Sequence, residues 1–136
     1  MLIVDAGPLY AAAATRDRNH QRCVDLLTGA ERPLIVPSLV VTEVCYLLGD
    51  RIGPRAELAF VRSIANGELI AEPVLEPEWE RIAELAGKYA DMPLGVVDAS
   101  VVALAERYRA EEIASLDRRH FSAVRPAHVA ALRLLP

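Results

Sequence analysis

Four carboxylates lie in apolar surroundings where acidic side chains are uncommon: Asp5, Glu43, Asp98 and Asp117. Asp5 and Asp117 each come directly after a short apolar run, whereas Glu43 and Asp98 interrupt longer apolar segments. An isolated buried carboxylate is very costly, so each of these groups has to be solvated, paired or bound to a metal ion. We therefore take these four residues as the candidate catalytic and metal-binding groups.

Four carboxylates in one pocket would repel one another, and at neutral pH some would take up protons unless a cation neutralises them. An all-oxygen set of ligands selects hard divalent ions, here Mg²⁺ or Mn²⁺. Such an ion can generate hydroxide, align it with phosphorus and stabilise the leaving oxygen. The chemistry that the four acids predict is metal-assisted hydrolysis of a phosphodiester.

Each acid also has a structural interpretation. For Asp5 and Asp98 it is an N-cap at the start of a helix, for Asp117 the opening of a turn, and for Glu43 a solvent-facing position on a helix. Taken together, the four are better explained by a shared pocket, which requires particular strands and helices to bring them to one place.

The elements alternate between short apolar strands and helices, which is typical of an α/β layer fold with a mainly parallel sheet. Gly, Pro and capping residues punctuate the segments, and Ala6-Gly7-Pro8 is predicted to break the chain after the first strand. The predicted strands are 2–4, 34–36, 69–75, 113–116 and 129–134, and the predicted helices are 9–14, about 20–27, 39–48, 55–65, 78–89 and 97–108.

In an open α/β sheet, ligands bind outside the carboxyl ends of the strands. Asp5 and Asp117 occupy two such ends, and Glu43 lies in the helix after the second strand, from which it can reach back over the same edge. Asp98 begins a helix that leads into the last parallel strand. This topology predicts one pocket that contains all four acids.

Composition restricts the class of protein. The 136 residues carry a formal net charge of −4 and are 53% hydrophobic, which indicates one folded domain, 1–136, rather than a disordered chain. The acidic balance argues against binding nucleic acid through bulk positive charge. We see no signal peptide and no segment long enough to span a membrane, and Cys23 and Cys45 fit no metal or redox motif. The expected location is the cytoplasm, with no membrane partner.

The four acids and their neighbours resemble the acidic motifs of PIN-domain ribonucleases, specifically the VapC toxins of type II toxin–antitoxin systems. The resemblance covers nearly the whole chain, with family-like order and spacing. The motifs are Leu2-Ile3-Val4-Asp5 with Leu9, Pro37-Ser38 with Glu43-Val44, Val97-Asp98-Ala99 with Ala103, and Ser115-Leu116-Asp117 with Phe121. Many relatives carry Ser or Thr after the first Asp, and this chain departs from them with Ala6.

The resemblance implies a PIN-like three-layer sandwich and a Mg²⁺-dependent endoribonuclease that cuts structured RNA, either tRNA or ribosomal RNA, and so inhibits translation. It also implies a homodimer and a VapB antitoxin whose tail occupies the active site, in a heterotetramer or a larger complex. The helical segments 39–48 and 58–64 have more apolar positions than one buried face requires. We expect a second copy and an antitoxin segment to cover the excess.

Other polar residues near Asp117 are weaker candidates for a role in the site. Ser115 is expected to orient the acids through its hydroxyl. Arg118 and Arg119 are candidate contacts to RNA phosphates, and a solvated turn explains them equally well. His120 has no partner that the sequence reveals, so we expect a surface histidine.

Competing classes lack the residues they need. A phosphoacceptor receiver domain requires a Lys at the end of a late strand, but the single Lys, Lys88, lies in a predicted helix, and a HAD-type phosphatase requires an Asp where Gly7 stands. The alternative that remains is a catalytically silent PIN-like module that only binds a partner. Loss of acids would indicate that case, and all four are present.

Overall fold

A five-stranded parallel sheet forms the centre of the computed structural model, which describes residues Met1–Pro136. Its spatial order is 3-2-1-4-5, and every neighbouring pair runs parallel. The strands are β1 (Leu2–Val4), β2 (Leu34–Pro37), β3 (Ile70–Glu72), β4 (Glu112–Ala114) and β5 (Arg133–Leu135). The predicted parallel sheet is confirmed.

Seven helices flank the sheet, as the α/β prediction requires. They are α1 (Ala6–Ala13), α2 (His20–Gly29), α3 (Ser38–Arg51), α4 (Pro54–Ala65), α5 (Glu78–Lys88), α6 (Val96–Tyr108) and α7 (Arg118–Ala123). Helix α1 packs against α2 and α3, α3 packs against α4, and α5 packs against α6. None of the helices combines the length and the apolar character needed to cross a bilayer.

The core is built around β1, β2 and helix α6. Every residue of β1 and β2 is buried, which explains why their sequences are continuous apolar runs without alternation. Seven consecutive residues of α6, from Ala99 to Ala105, are buried, so this helix is enclosed on all sides. Its small residues allow close packing, and Asp98 is therefore held at the start of a rigid element.

Several elements differ from the prediction. Helix α1 begins at Ala6 rather than Leu9, because Pro8 lies in the first turn, where a helix has no use for a backbone N–H donor. A short helix, α7, follows β4 where the sequence suggested a turn. Strand β3 covers only Ile70–Glu72, and β5 lies at Arg133–Leu135 rather than at 129–134.

The strand order reverses direction between β1 and β4. Strands β2 and β3 extend the sheet on one side of β1, whereas β4 and β5 extend it on the other. The Asp5 amide donates a 2.9 Å hydrogen bond to the carbonyl of Ala114, so the carboxyl ends of β1 and β4 lie side by side. Crevices at such reversal points are where open α/β sheets bind ligands.

Candidate active site

One cleft at this edge of the sheet contains all four predicted acids. Its volume is about 460 Å³. Asp5 comes directly after β1, Glu43 from α3, Asp98 from the first turn of α6, and Asp117 from the N-cap of α7, three residues after the end of β4 rather than directly at the strand end as predicted. The lining residues are Asp5, Ala6, Gly7, Glu43, Leu47, Asp98, Leu116 and Asp117. The structure thus brings together four segments that are far apart in the chain.

Asp5 is the most buried acid in the cleft, with a relative exposure of 6%. Its pKa is raised from 3.8 to about 6, mainly by burial and to a smaller extent by the negative charges of Asp98 and Glu43. A hydrogen bond from Ser115 opposes the shift. Asp5 occupies the N-cap position of α1 but makes no capping hydrogen bond, so helix capping does not explain the residue.

Glu43 and Asp98 are half-buried and face the same cleft. Burial raises the pKa of both carboxyl groups; Asp98 adds to the shift at Glu43, and Asp117 adds to the shift at Asp98. Gly95 holds the N-cap position of α6, so the capping interpretation of Asp98 is wrong. The mutual effect of these carboxylates is the repulsion that the sequence predicts for a shared pocket.

Asp117 differs from the other acids because His120 engages both of its oxygens. The His120 amide donates a 3.0 Å bond to Oδ1, which makes Asp117 the N-cap of α7, and the imidazole Nδ1 lies 2.5 Å from Oδ2. Nε2 of His120 lies 2.8 Å from the carbonyl oxygen of Met92, which can only accept, so Nε2 carries a proton. The pKa of His120 is raised, first by the bond to Asp117, which favours the doubly protonated ring.

His120 is the site residue that sequence reasoning missed. It is half-buried rather than a surface histidine, and one ligand atom of each of Asp98, Asp117 and His120 lies within 4.8 Å of the others. Because Nε2 faces the carbonyl oxygen of Met92 and Nδ1 faces Oδ2 of Asp117, both ring nitrogens are engaged, and the ring acts as a partner of Asp117 rather than as a metal ligand. The sequence carried one signal for this contact, which is that His120 lies three positions after Asp117. The side chain of an N-cap residue accepts a hydrogen bond from the backbone N–H two or three positions later, so the two residues are neighbours when a helix begins at Asp117.

Ser115 connects the two strand-end acids. Its hydroxyl donates a 2.8 Å hydrogen bond to Oδ2 of Asp5 and accepts a 3.1 Å bond from the amide of Asp117. The side chain is buried, so both bonds are shielded from water. Ala6, where the family resemblance led us to expect Ser or Thr, has no hydroxyl group, and Ser115 supplies the hydroxyl contact to Asp5.

Gly7 allows the first turn of α1 to approach the end of β4. A Cβ atom at this position would lie 3.3 Å from Cβ of Leu116, a separation tighter than ordinary packing. Both residues line the cleft. The absence of a side chain at Gly7 therefore helps to keep Asp5 and Asp117 at the same crevice.

The two arginines after Asp117 have different environments. Arg118 donates a 2.8 Å hydrogen bond to the carbonyl oxygen of Pro136. Arg119 is exposed and makes no hydrogen bond within the chain. Neither residue lines the acidic cleft.

The residues of the cleft fit a divalent cation. All four predicted ligands offer carboxylate oxygens, the donors that Mg²⁺ and Mn²⁺ prefer. Burial, and in addition the repulsion between neighbouring carboxylates, raises the pKa of Asp5, Glu43 and Asp98, and a positive charge placed among them would relieve that repulsion.

Comparison with known proteins gives consistent results. A family model of the PIN domain matches residues 2–126. The chain is 36% identical over 135 residues to Ribonuclease VapC26 of Mycobacterium tuberculosis (strain ATCC 25618 / H37Rv), covering 99% of this chain and 100% of that protein.

Two solved structures share the fold. The crystal structure of Mycobacterium tuberculosis VapC20, a Sarcin-Ricin loop cleaving toxin, has a TM-score of 0.85 at 21% identity and covers 95% of this chain and 98% of that one. The structure of FitAcB from Neisseria gonorrhoeae has a TM-score of 0.62 at 15% identity, covering 100% and 97%. The fold, the match to the family model and the 36% identity over nearly the full length show that this chain belongs to the PIN domain family, among the VapC ribonucleases.

Proposed function

We propose that this chain is a Mg²⁺-dependent endoribonuclease toxin of a type II toxin–antitoxin system, and that the whole chain, 1–136, forms its single PIN domain. The observation that carries the proposal is the convergence of Asp5, Glu43, Asp98 and Asp117 in one cleft. The identity to a curated VapC ribonuclease supports RNA as the substrate. Structured RNA, either tRNA or ribosomal RNA, is the proposed target, because VapC20 with the same fold is described as a Sarcin-Ricin loop cleaving toxin.

The four acids have different proposed roles, which follow from their contacts. Asp5, Glu43 and Asp98 have carboxylate oxygens free to hold the cation, which when bound supplies hydroxide and stabilises the leaving oxygen. Asp117 is restrained by His120 and lines the cleft, where it can orient water. Ser115 keeps Asp5 in place through its hydroxyl.

The proposed partner is a VapB antitoxin that inhibits by filling this cleft, and the proposed assembly is a homodimer within a heterotetramer or larger complex. Exposed apolar side chains on α3 and α4, among them Tyr46, Leu58 and Val61, support a protein contact outside the core. A cationic antitoxin side chain, most simply an Arg, would pair with the carboxylates in place of the metal. Inhibition of this kind should weaken as Mg²⁺ is increased, whereas inhibition from the rim of the cleft would be indifferent to Mg²⁺.

A direct assay tests the nuclease proposal against the silent-module alternative. The purified chain is incubated with total tRNA and with ribosomal RNA, in Mg²⁺ and separately in EDTA. We expect specific fragments in Mg²⁺ and none in EDTA or with Asp98→Asn. Intact RNA in Mg²⁺ and in Mn²⁺, from a folded wild-type chain, would favour the module that binds a partner without catalysis.

A further inference from the structure

A second cavity shares two of its lining helices, α1 and α3, with the acidic cleft. Helices α1 and α3 pack against each other, and earlier residues of each line the acidic cleft while later residues of each line the second cavity. The second cavity has a volume of about 550 Å³. Its main polar lining residues are Tyr10, Thr15, Arg16, Asp17 and Arg51.

Helix α3 connects the two sites through one stripe of side chains. Glu43 and Leu47 line the acidic cleft, and Arg51, one turn after Leu47, lines the second cavity. At about 1.5 Å of rise per residue, Arg51 lies about 12 Å along the helix axis from Glu43. A nucleic acid strand that places one phosphate at the acids and follows α3 would reach Arg51 within a few nucleotides.

The cationic groups of the second cavity are free of partners in the chain. The guanidinium carbon of Arg51 lies 5.3 Å from the centroid of the Tyr10 ring, which holds this side chain over an aromatic face. Neither Arg51 nor Arg16 makes an ion pair or a side-chain hydrogen bond, whereas Arg81 and Arg107 are each paired with carboxylates.

The charge of the second cavity is opposite to that of the cleft. Its single acid, Asp17, accepts a 2.8 Å bond from the amide of Asn19, so two guanidinium groups face one carboxylate that is already engaged. The acids of the cleft repel phosphate, and the net charge of the chain is −4. Affinity for a polyanion therefore has to come from a local cationic surface such as this one.

We infer that this cavity binds the RNA strand next to the scissile phosphodiester. Arg16 and Arg51 contact a flanking phosphate through their guanidinium donors, and the Arg51–Tyr10 pair offers planar groups on which a flanking base stacks. The inference rests on the proposed ribonuclease function and adds substrate-positioning residues to it. An acidic peptide segment is the competing occupant, and RNA is favoured because Arg51 of this cavity lies on the same stripe of α3 as Glu43 and Leu47 of the acidic cleft.

Binding is measured separately from cleavage, so that the two proposals can fail independently. A short fluorescein-labelled single-stranded RNA is titrated with the full chain in EDTA, at salt concentrations between about 50 and 200 mM. The variants are Arg51→Ala, Arg16→Ala and Arg51→Lys, with Arg62→Ala as the matched control. Arg62 is also exposed and unpaired, and it lies outside both cavities.

We expect Arg51→Ala and Arg16→Ala each to weaken RNA binding about 5- to 10-fold. Each should also reduce the slope of log affinity against log salt by about 0.7. Arg51→Lys should keep the slope because it keeps the charge. With RNA substrate and Mg²⁺, the alanine variants should raise KM by a similar factor and leave kcat nearly unchanged, which loss of fold would not do.

Three results would overturn the inference. The first is that the wild-type chain does not bind RNA in EDTA, and the second is that the Arg51→Ala and Arg16→Ala variants bind and cleave RNA as well as Arg62→Ala does. The third is that these two variants lose affinity for an antitoxin peptide while their RNA binding stays intact. The last result would make the cavity a protein contact. A wild-type chain that binds RNA through Arg51 but cleaves none in Mg²⁺ would contradict the proposed function and uphold the binding site.

Discussion

The hydroxyl of Ser115 donates a 2.8 Å hydrogen bond to Oδ2 of Asp5, joining residues at the carboxyl ends of two neighbouring parallel strands. The same hydroxyl accepts from the amide of Asp117, so one side chain restrains both strand-end acids. Because the bond to Asp5 lowers the pKa that burial raises, Ser115 helps to keep the carboxylate ionised and available to a cation.

Ser115→Ala should therefore weaken the site without removing a ligand. Loss of a group that orients ligands typically costs about 10- to 100-fold in metal affinity or activity. We expect a loss in this range for Mn²⁺ binding, measured by calorimetry, and for RNA cleavage. Ser100→Ala is the matched control, because Ser100 is also buried but bonds only to the carbonyl of Val97 in its own helix. Equal effects of the two variants would contradict a role for Ser115 at the site.

Asp98→Asn and Asp5→Asn should abolish cleavage while the fold persists. Both changes keep the shape of the side chain and remove a negative ligand, so we expect cleavage in Mg²⁺ to fall by at least about 100-fold. RNA fragments are followed on gels, and circular dichroism reports the fold. Asp50→Asn, at an exposed position of α3, is the control and should cleave like the wild type. Folded Asp98→Asn and Asp5→Asn variants with wild-type rates would refute the assignment of the site.

The metal-free protein should lose stability as pH rises through the range in which Asp5 titrates. The pKa of Asp5 is about 6 in the folded chain against an ordinary value of 3.8, so the native state binds more protons than the unfolded state between these values. The free energy of unfolding therefore decreases as pH increases from about 4 to above about 6.

Asp5→Asn removes the free-energy cost of ionising a buried carboxyl group in the folded chain. In EDTA at about pH 8, the variant should be more stable than the wild type by about 1 to 3 kcal/mol, and the difference should shrink near pH 4. Urea denaturation at the two pH values measures it. Saturating Mg²⁺ should reverse the order, because only the wild type retains the full ligand set. A variant that is less stable than the wild type at pH 8 in EDTA would show that Asp5 carries no burial cost.

His120→Ala should release Asp117 and impair cleavage by about 10- to 100-fold, while leaving all four acids in the chain.

Asp117 raises the pKa of His120, so the pair contributes its full stability below the ordinary histidine value of 6.5 and loses it as pH rises through the raised pKa. The destabilisation by His120→Ala, about 1 kcal/mol for a lost hydrogen bond, should thus be larger at pH 6 than at pH 9.

His20→Ala is the control for this variant. His20 also bonds through Nδ1, but to the carbonyl oxygen of Ala11 rather than to a carboxylate. It should leave cleavage unchanged. Wild-type cleavage by a folded His120→Ala chain would show that Asp117 needs no partner.

The sequence alone determined which strands are central and which acids are unusual. Short, uninterrupted apolar runs such as β1 and β2 predict buried parallel strands because both faces of the sheet are covered. Asp5 and Asp117 could be singled out because a carboxylate that follows a buried apolar run has to be solvated, paired or bound to a metal ion. These are local signals, and each can be recognised within a few residues.

Only the tertiary structure decided how the groups pair. The position of β4 beside β1 brings Ser115 to Asp5, and the packing of α1 on α3 brings Arg51 over Tyr10. The formation of α7 turns His120 from an expected surface residue into the partner of Asp117. Such contacts depend on strand order, register and helix packing between segments distant in sequence, and no local periodicity encodes which distant side chain will face which.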